Sequence, residues 1–312
     1  MPRAAAIGEQ QMHTKSGFHG VYPMAFALFD ESGALSRSAM RRQIEAMLRH
    51  KVHGVAILGL ATEVHKLSTR ERLTLMQWAI EDVGGAVPVA VTVAENSAAG
   101  QVEFVKEAAG LGAAWVILQP PPSKGVPETE LIRFFGAVAE KSQIPVGIQN
   151  APEYLGYGLS NAGLKTLNRQ HPNVLIAKLE APAIALQRLI EEVDGEIDVF
   201  NGRAGIELID GMRGGAVGFI PGGESFDILT RIFNDFAAGT PERQATAEKA
   251  YSEILPLLVT LMESIDTFLV YGKQVLGQRL GITETASRIP ASPATLFGIE
   301  LVSRYAARCG KL

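Results

Sequence analysis

Lys178 stands where lysines rarely do. It follows Val174-Leu175-Ile176-Ala177 inside an apolar run, and Glu180 lies two residues on. Charged side chains are seldom buried without a partner or a task. Desolvation lowers the pKa of a lysine, and the neutral amine is a nucleophile toward a ketone carbonyl. If the run is a strand that continues, its period of two puts Lys178 and Glu180 on one inward face. The pair then reads as an imine-forming lysine with a general base beside it. The plainer reading is a static ion pair, or Glu180 in the first turn of a following helix.

Other residues carry weaker signals. Asn201-Gly202-Arg203 ends another apolar run, and Arg203 can bind a distal carboxylate or simply stand in solvent. Gly222-Gly223-Glu224 precedes a helix, so its N–H groups can hold an anion or a hydroxyl, or form a tight turn. His65 reads either as an acid or hydrogen-bond donor or as an ordinary loop residue. Glu63 reads as structural, turned toward neighbouring loop amides. No His/Cys/Asp spacing suggests a metal, and imine chemistry needs no cofactor.

These residues need elements to position them. Eight apolar runs recur along the chain, at 21–26, 55–59, 87–94, 114–120, 144–150, 174–180, 197–202 and 216–221. Most are continuous rather than alternating, as expected of parallel strands covered on both faces. Between them lie amphipathic stretches such as 36–50 and 97–111. Ser68-Thr69-Arg70-Glu71 has a capping-box pattern, and Pro127 with Glu128 and Glu130 opens a further helix. Eight strand–helix units predict a (β/α)8 TIM barrel of class α/β over 18–240. An open doubly wound sheet is the competitor, but no GxGxxG follows the first run. Residues 1–17 read as a flexible tail, and 241–312 as a C-terminal helical appendage whose last helix covers 293–309. In such a barrel the site lies at the C-terminal strand ends. That points to 59–66, 119–124, 149–154, Lys178, Glu180, 201–203 and 220–224.

Composition narrows the class. The 312 residues carry 29 Lys plus Arg against 33 Asp plus Glu, a net charge of −4 with no basic run. A nucleic-acid or anionic-membrane partner is therefore not expected. Apolar residues at 47% allow a large core. The single cysteine, Cys309, cannot form an intrachain disulfide, and a reducing compartment fits. The first residues hold no signal-peptide core and no apolar run reaches about 18 residues, so a cytoplasmic protein is expected.

Order and spacing together resemble the dihydrodipicolinate synthase / N-acetylneuraminate lyase family of Schiff-base lyases. Gly20-Val21-Tyr22-Pro23 is similar to the opening strand. Gly59-Leu60-Ala61-Thr62-Glu63, with Leu67-Ser68 and Glu71, sits where the family has Gly-Thr-Thr-Gly-Glu and Leu-Ser/Thr. Gln149-Asn150-Ala151-Pro152 sits where it has Tyr-Asn-x-Pro, and Ala177-Lys178 where it has the imine lysine. The resemblance implies a 2-keto acid substrate and a dimer or tetramer. It also implies substrate contacts from Gly59, Leu60, Ala61 and Thr62, largely through backbone N–H groups, and from Gln149 and Asn150. Asn201, Arg203 and Gly222 complete the expected substrate-binding set.

The departures bear on the reaction. The family's proton-relay threonine falls at Leu60 or Ala61. Its tyrosines fall at Gln149 and within Pro120-Pro121-Pro122, and its carboxylate-binding arginine falls at Tyr154. A phenol shuttles a proton and a Gln amide does not. Lysine-pathway synthase activity is thus disfavoured. Lys-x-Glu with Gln-Asn-Ala-Pro resembles the 2-keto-3-deoxy sugar acid dehydratase branch instead. Three hypotheses follow: a Schiff-base dehydratase or aldolase on a 2-keto-3-deoxy sugar acid, the synthase, and a degenerate barrel that only binds a keto acid.

Overall fold

The computed structural model describes residues 14–122 and 125–312. Lys124 and residues 1–13 of the expected tail lie outside them. The elements run β1 (Gly20–Val21), α1 (Arg37–Arg49), β2 (Val55–Ile57), α2 (Thr69–Val83), β3 (Val89–Val93), α3 (Ala98–Leu111), β4 (Trp115–Leu118) and α4 (Glu128–Ala139). They continue β5 (Val146–Asn150), α5 (Pro152–Leu155), α6 (Asn161–Gln170), β6 (Val174–Leu179), α7 (Ala183–Val193), β7 (Asp198–Asn201), α8 (Leu208–Arg213) and β8 (Gly218–Phe219). Then come α9 (Phe226–Ala237), α10 (Pro241–Leu261), α11 (Ile265–Leu280) and α12 (Leu296–Cys309).

All eight apolar runs contain a strand. They pair in parallel in the order β1-β8-β7-β6-β5-β4-β3-β2, a TIM-barrel-like sheet. The two ends of that order approach each other at Met24, which bridges both Ala56 and Gly222. The first run pairs over less than its expected length. Only Gly20–Val21 forms a strand, because Pro23 has no N–H to give to a ladder.

Period-two alternation sorts the side chains. Trp115 faces inward, where its ring meets Tyr22 and Phe200 at centroid distances of 5.9 and 5.5 Å. Trp115 is the first residue of β4, so the ring cluster reaches down to the end of the sheet from which the strands start. Gly218 lies beside Phe200, whose ring occupies the space a side chain would take. With the lower interior filled by aromatic rings, polar inward positions are left to the strands' C-terminal ends.

The helices follow their local signals. Ser68 caps α2 with the expected box, its backbone N–H donating to Glu71 Oε2 at 2.8 Å. Pro127 caps α4 rather than entering its first turn, and Glu128 and Glu130 supply the acids there. The last helix starts at Leu296, three residues later than expected, because Thr295 is the capping side chain. No helix among the described residues is long and apolar enough to cross a membrane. At the amino end, the Lys15 and Ser16 N–H groups donate to Asp198 at 3.1 and 2.7 Å.

Candidate active site

β6 ends at Leu179, and Lys178 is buried on its inward face. In the β5–β6 ladder Gln149 stands opposite Lys178. Lys178 Nζ donates to Gln149 Oε1 at 2.9 Å and also to Glu180 Oε1. Glu180 lies one residue past the strand, yet its carboxylate turns back to the lysine. Its other oxygen accepts the Arg203 backbone N–H at 2.6 Å. That N–H is aimed by a strained turn: Arg203 and Ala204 have φ of 47° and 54°. Left-handed backbone without glycine costs of order 1–3 kcal/mol per residue and concentrates at functional sites.

Lys178 and Glu180 open onto a cavity of about 50 Å³, above the roughly 10–15 Å³ that one water needs. Leu60, Ala61, Arg203 and Gly222 also line it. Leu60 and Ala61 begin a 3-10 turn whose own bonds are donated by the Thr62 and Glu63 N–H groups, so they spend no N–H inside the turn. Gly59 gives its N–H to Met24 Sδ at 3.2 Å, and the Met24 side chain fills the space beside its Cα. Arg203 Nε donates to Glu207 Oε1 at 3.0 Å. Burial pushes the Glu207 carboxyl up, opposed by the Arg203 charge.

Three expected substrate contacts have other tasks. Thr62 is buried and its hydroxyl donates to the Ala25 carbonyl at 2.7 Å, tying the β2 loop to the segment after β1. Asn150 uses both ends of its amide on the Leu159 backbone, at 2.8 and 2.9 Å. Asn201 does the same to Ala181, at 2.9 and 3.0 Å. Both asparagines complete the backbone bonds of a loop beside the site. His65 is exposed in the turn Val64–Lys66.

Glu63 is structural, though its partners are cations as well as an amide. Lys273 of α11 and Lys66 Nζ at 2.9 Å reach its carboxylate, with the Arg288 N–H at 3.1 Å. Burial pushes Lys273 down to about 8, against the pull of Glu63. Neither Lys66 nor Lys273 lines the cavity around Lys178. α11 adds a second wall that the sequence did not signal. Ile265 and Phe268, with Met262 just before them, face the cavity from the C-terminal region.

Comparisons with known proteins point to one family. The model of the Dihydrodipicolinate synthetase family matches residues 17–301. An L-2-keto-3-deoxyarabonate dehydratase of Azospirillum brasilense is 29% identical over 248 residues, 77% of this chain and 78% of the relative. A 4-hydroxy-tetrahydrodipicolinate synthase of Methanococcoides burtonii is 28% identical over 246 residues, 78% of this chain and 83% of the relative. Among solved structures, YagE of Escherichia coli K12, crystallised with pyruvate, superposes with a TM-score of 0.86 at 23% identity. That match covers 94% of this chain and 99% of YagE.

Proposed function

Because the chain belongs to the dihydrodipicolinate synthetase family, we propose that it is an imine-forming lyase acting on a 2-keto acid, specifically a 2-keto-3-deoxy sugar acid. The observation that carries this reading is the placement of Lys178 Nζ between Gln149 Oε1 and the Glu180 carboxylate, at a cavity wall. The dehydratase relative supports the substrate class.

The chemistry follows from those contacts. Lys178 loses its ammonium proton to solvent, and the free amine attacks the C2 carbonyl. The carbinolamine hydroxyl takes a proton from solvent and leaves as water, and the positive charge of the resulting imine acidifies the C3 protons. Glu180, held by the Arg203 N–H, removes one of them. The enamine electrons then expel the C4 hydroxyl, which leaves as water with the proton that Glu180 took from C3. In an aldolase Glu180 takes the C4 hydroxyl proton instead, the C3–C4 bond breaks to release an aldehyde, and its electrons pass to the Lys178 imine. Gln149 holds Nζ as an acceptor and moves no proton. Leu60 and Ala61 offer N–H groups to the keto acid's carboxylate.

The synthase relative favours a second reading, condensation of a keto acid with an amino aldehyde. Gln149, Pro122 and Tyr154 weigh against it, because the family's proton relay and carboxylate clamp are missing at those positions.

The test is borohydride trapping with pyruvate and with 2-keto-3-deoxy-L-arabonate, read by intact mass and peptide mapping. One adduct on Lys178, absent from Lys178→Ala, is expected, together with turnover of the sugar acid. An adduct on another lysine sinks the assignment. Trapping without turnover of any keto acid leaves a binding protein, and robust condensation of pyruvate with aspartate semialdehyde favours the synthase.

A further inference from the structure

Three inward-facing side chains, of which Gln149 bonds to the lysine, hold polar atoms with no partner among the described residues: Thr92 Oγ1, Gln119 Nε2 and Gln149 Nε2. All three residues are at least 97% buried. They belong to successive strands. Thr92 on β3 stands opposite Ile117 on β4, and Gln119 follows two residues later on the same face. Leu118 stands opposite Ile148, so Gln119 and Gln149 come side by side one step further along β4 and β5. Gln149 then stands opposite Lys178 on β6. A diagonal pair such as Thr92 and Gln119 is about 7–8 Å apart at Cβ, within reach of a glutamine.

The orientation of the Gln149 amide is fixed by chemistry. Lys178 only donates, so the oxygen must face it and the NH2 group must point away. Gln119 is anchored through its backbone, its N–H to Val93 O at 2.9 Å and its carbonyl to Gln101 Nε2 at 2.8 Å. Its side chain is left over for the interior. Buried polar groups in native proteins are nearly always satisfied, and each exception calls for an explanation. Three exceptions on the inward face of adjoining strands, the last of them bonded to the lysine, call for a common one.

We propose that Thr92, Gln119 and Gln149 form a buried, uncharged polar pocket that binds a hydroxyl on the chain of the keto acid held at Lys178. The unpartnered atoms are two amide NH2 donors and one hydroxyl that can donate or accept, so a bound hydroxyl finds both kinds of partner. None of the three carries a charge, and the positive charge of Lys178 beside Gln149 is already paired with Glu180, which disfavours a buried anion there. Thr92 and Gln119 are then specificity residues, outside the bond-making steps. This rests on the reading that Lys178 forms an imine with a 2-keto acid, and it deepens that reading by saying which side chains sense the hydroxyl.

The test uses two keto acids that share the reacting group and differ in hydroxyls. Half-maximal borohydride trapping is measured for pyruvate and for 2-keto-3-deoxy-L-arabonate in the wild type, Thr92→Val and Gln119→Leu. The wild type should favour the hydroxylated acid by about 10-fold or more, and each variant should shrink that preference by about 10-fold, the scale of one buried hydrogen bond. The same variants should melt no lower than the wild type, since each removes an unpaired buried polar group. A wild type without preference, a preference unchanged in both variants, or equal losses for both ligands would overturn the pocket. A wild type that traps neither acid overturns the imine reading itself, and the pocket with it.

Discussion

Glu180 packs its carboxylate against the bare Cα of Gly202, with both oxygens where a side chain on residue 202 would begin. The contact explains how a residue beyond the end of β6 is turned back toward Lys178. Gly202 leaves the space, and the Arg203 N–H immediately after it fills one acceptor position of the carboxylate. A single added methyl group would push the carboxylate out of this seat.

Gly202→Ala should therefore behave as a mutant of Glu180. Turnover of the sugar acid is expected to fall by about 10²-fold, the lower range for loss of a positioned base. The measurement is kcat against borohydride trapping of pyruvate on the same preparation. A variant with normal kcat would show that the carboxylate works from another position, or not at all.

Glu180→Gln separates base from ion-pair partner. The amide keeps the shape and cannot accept the C3 proton. Trapping of a keto acid should persist in good yield while turnover drops by about 10²-fold or more. If Glu180 only pairs with Lys178, removing its charge changes the lysine's pKa and the rate of trapping, and leaves any residual turnover in step with that rate. Stopped-flow trapping beside steady-state turnover distinguishes the two.

The strands were legible because parallel strands covered on both faces need continuous apolar runs, and eight such runs are present. Lys178 was legible as a lysine inside one of them. The same signal occurs at Lys273 in the helical region, within Leu269-Val270-Tyr271-Gly272-Lys273-Gln274-Val275-Leu276. The two lysines differ only in what the fold brings to them: Glu180 and a cavity for one, Glu63 and the Phe29 ring at 4.7 Å for the other. Sequence spacing does not carry that difference. Asn150 and Asn201 were misleading for a related reason. A strand-end asparagine looks the same whether its amide meets a ligand or mends a loop, and here both amides mend loops. The wall supplied by Ile265 and Phe268 comes from a helix far along the chain, with no local pattern to announce it.

Glu224 supplies a prediction about stability. Its carboxyl is fully buried behind Gly222. One oxygen accepts from the Ser225 hydroxyl at 3.0 Å, and the other has no partner among the described residues. Arg279 is near, but it donates to the Glu224 backbone carbonyl and spends its charge on Asp227 at 2.9 and 2.7 Å. Its unpartnered oxygen lies where a side chain on Gly222 would begin and 4.0 Å from where one on Gly272 would, so both glycines leave it room without offering a charge. Burial accordingly pushes this carboxyl from 4.5 up to about 7. A raised carboxyl binds its proton more tightly in the folded chain than in the unfolded one. The wild type should lose stability as pH rises from 4.5 to about 7, and carry the full cost of the buried charge above that. The shift corresponds to at most about 3 kcal/mol. Glu224→Gln keeps the shape and never ionises. It should match the wild type at pH 4.5 and exceed it at pH 8 by up to about 3 kcal/mol, seen as a higher urea midpoint. An equal difference between the two proteins at both pH values would show that Glu224 is paired or hydrated in the folded state.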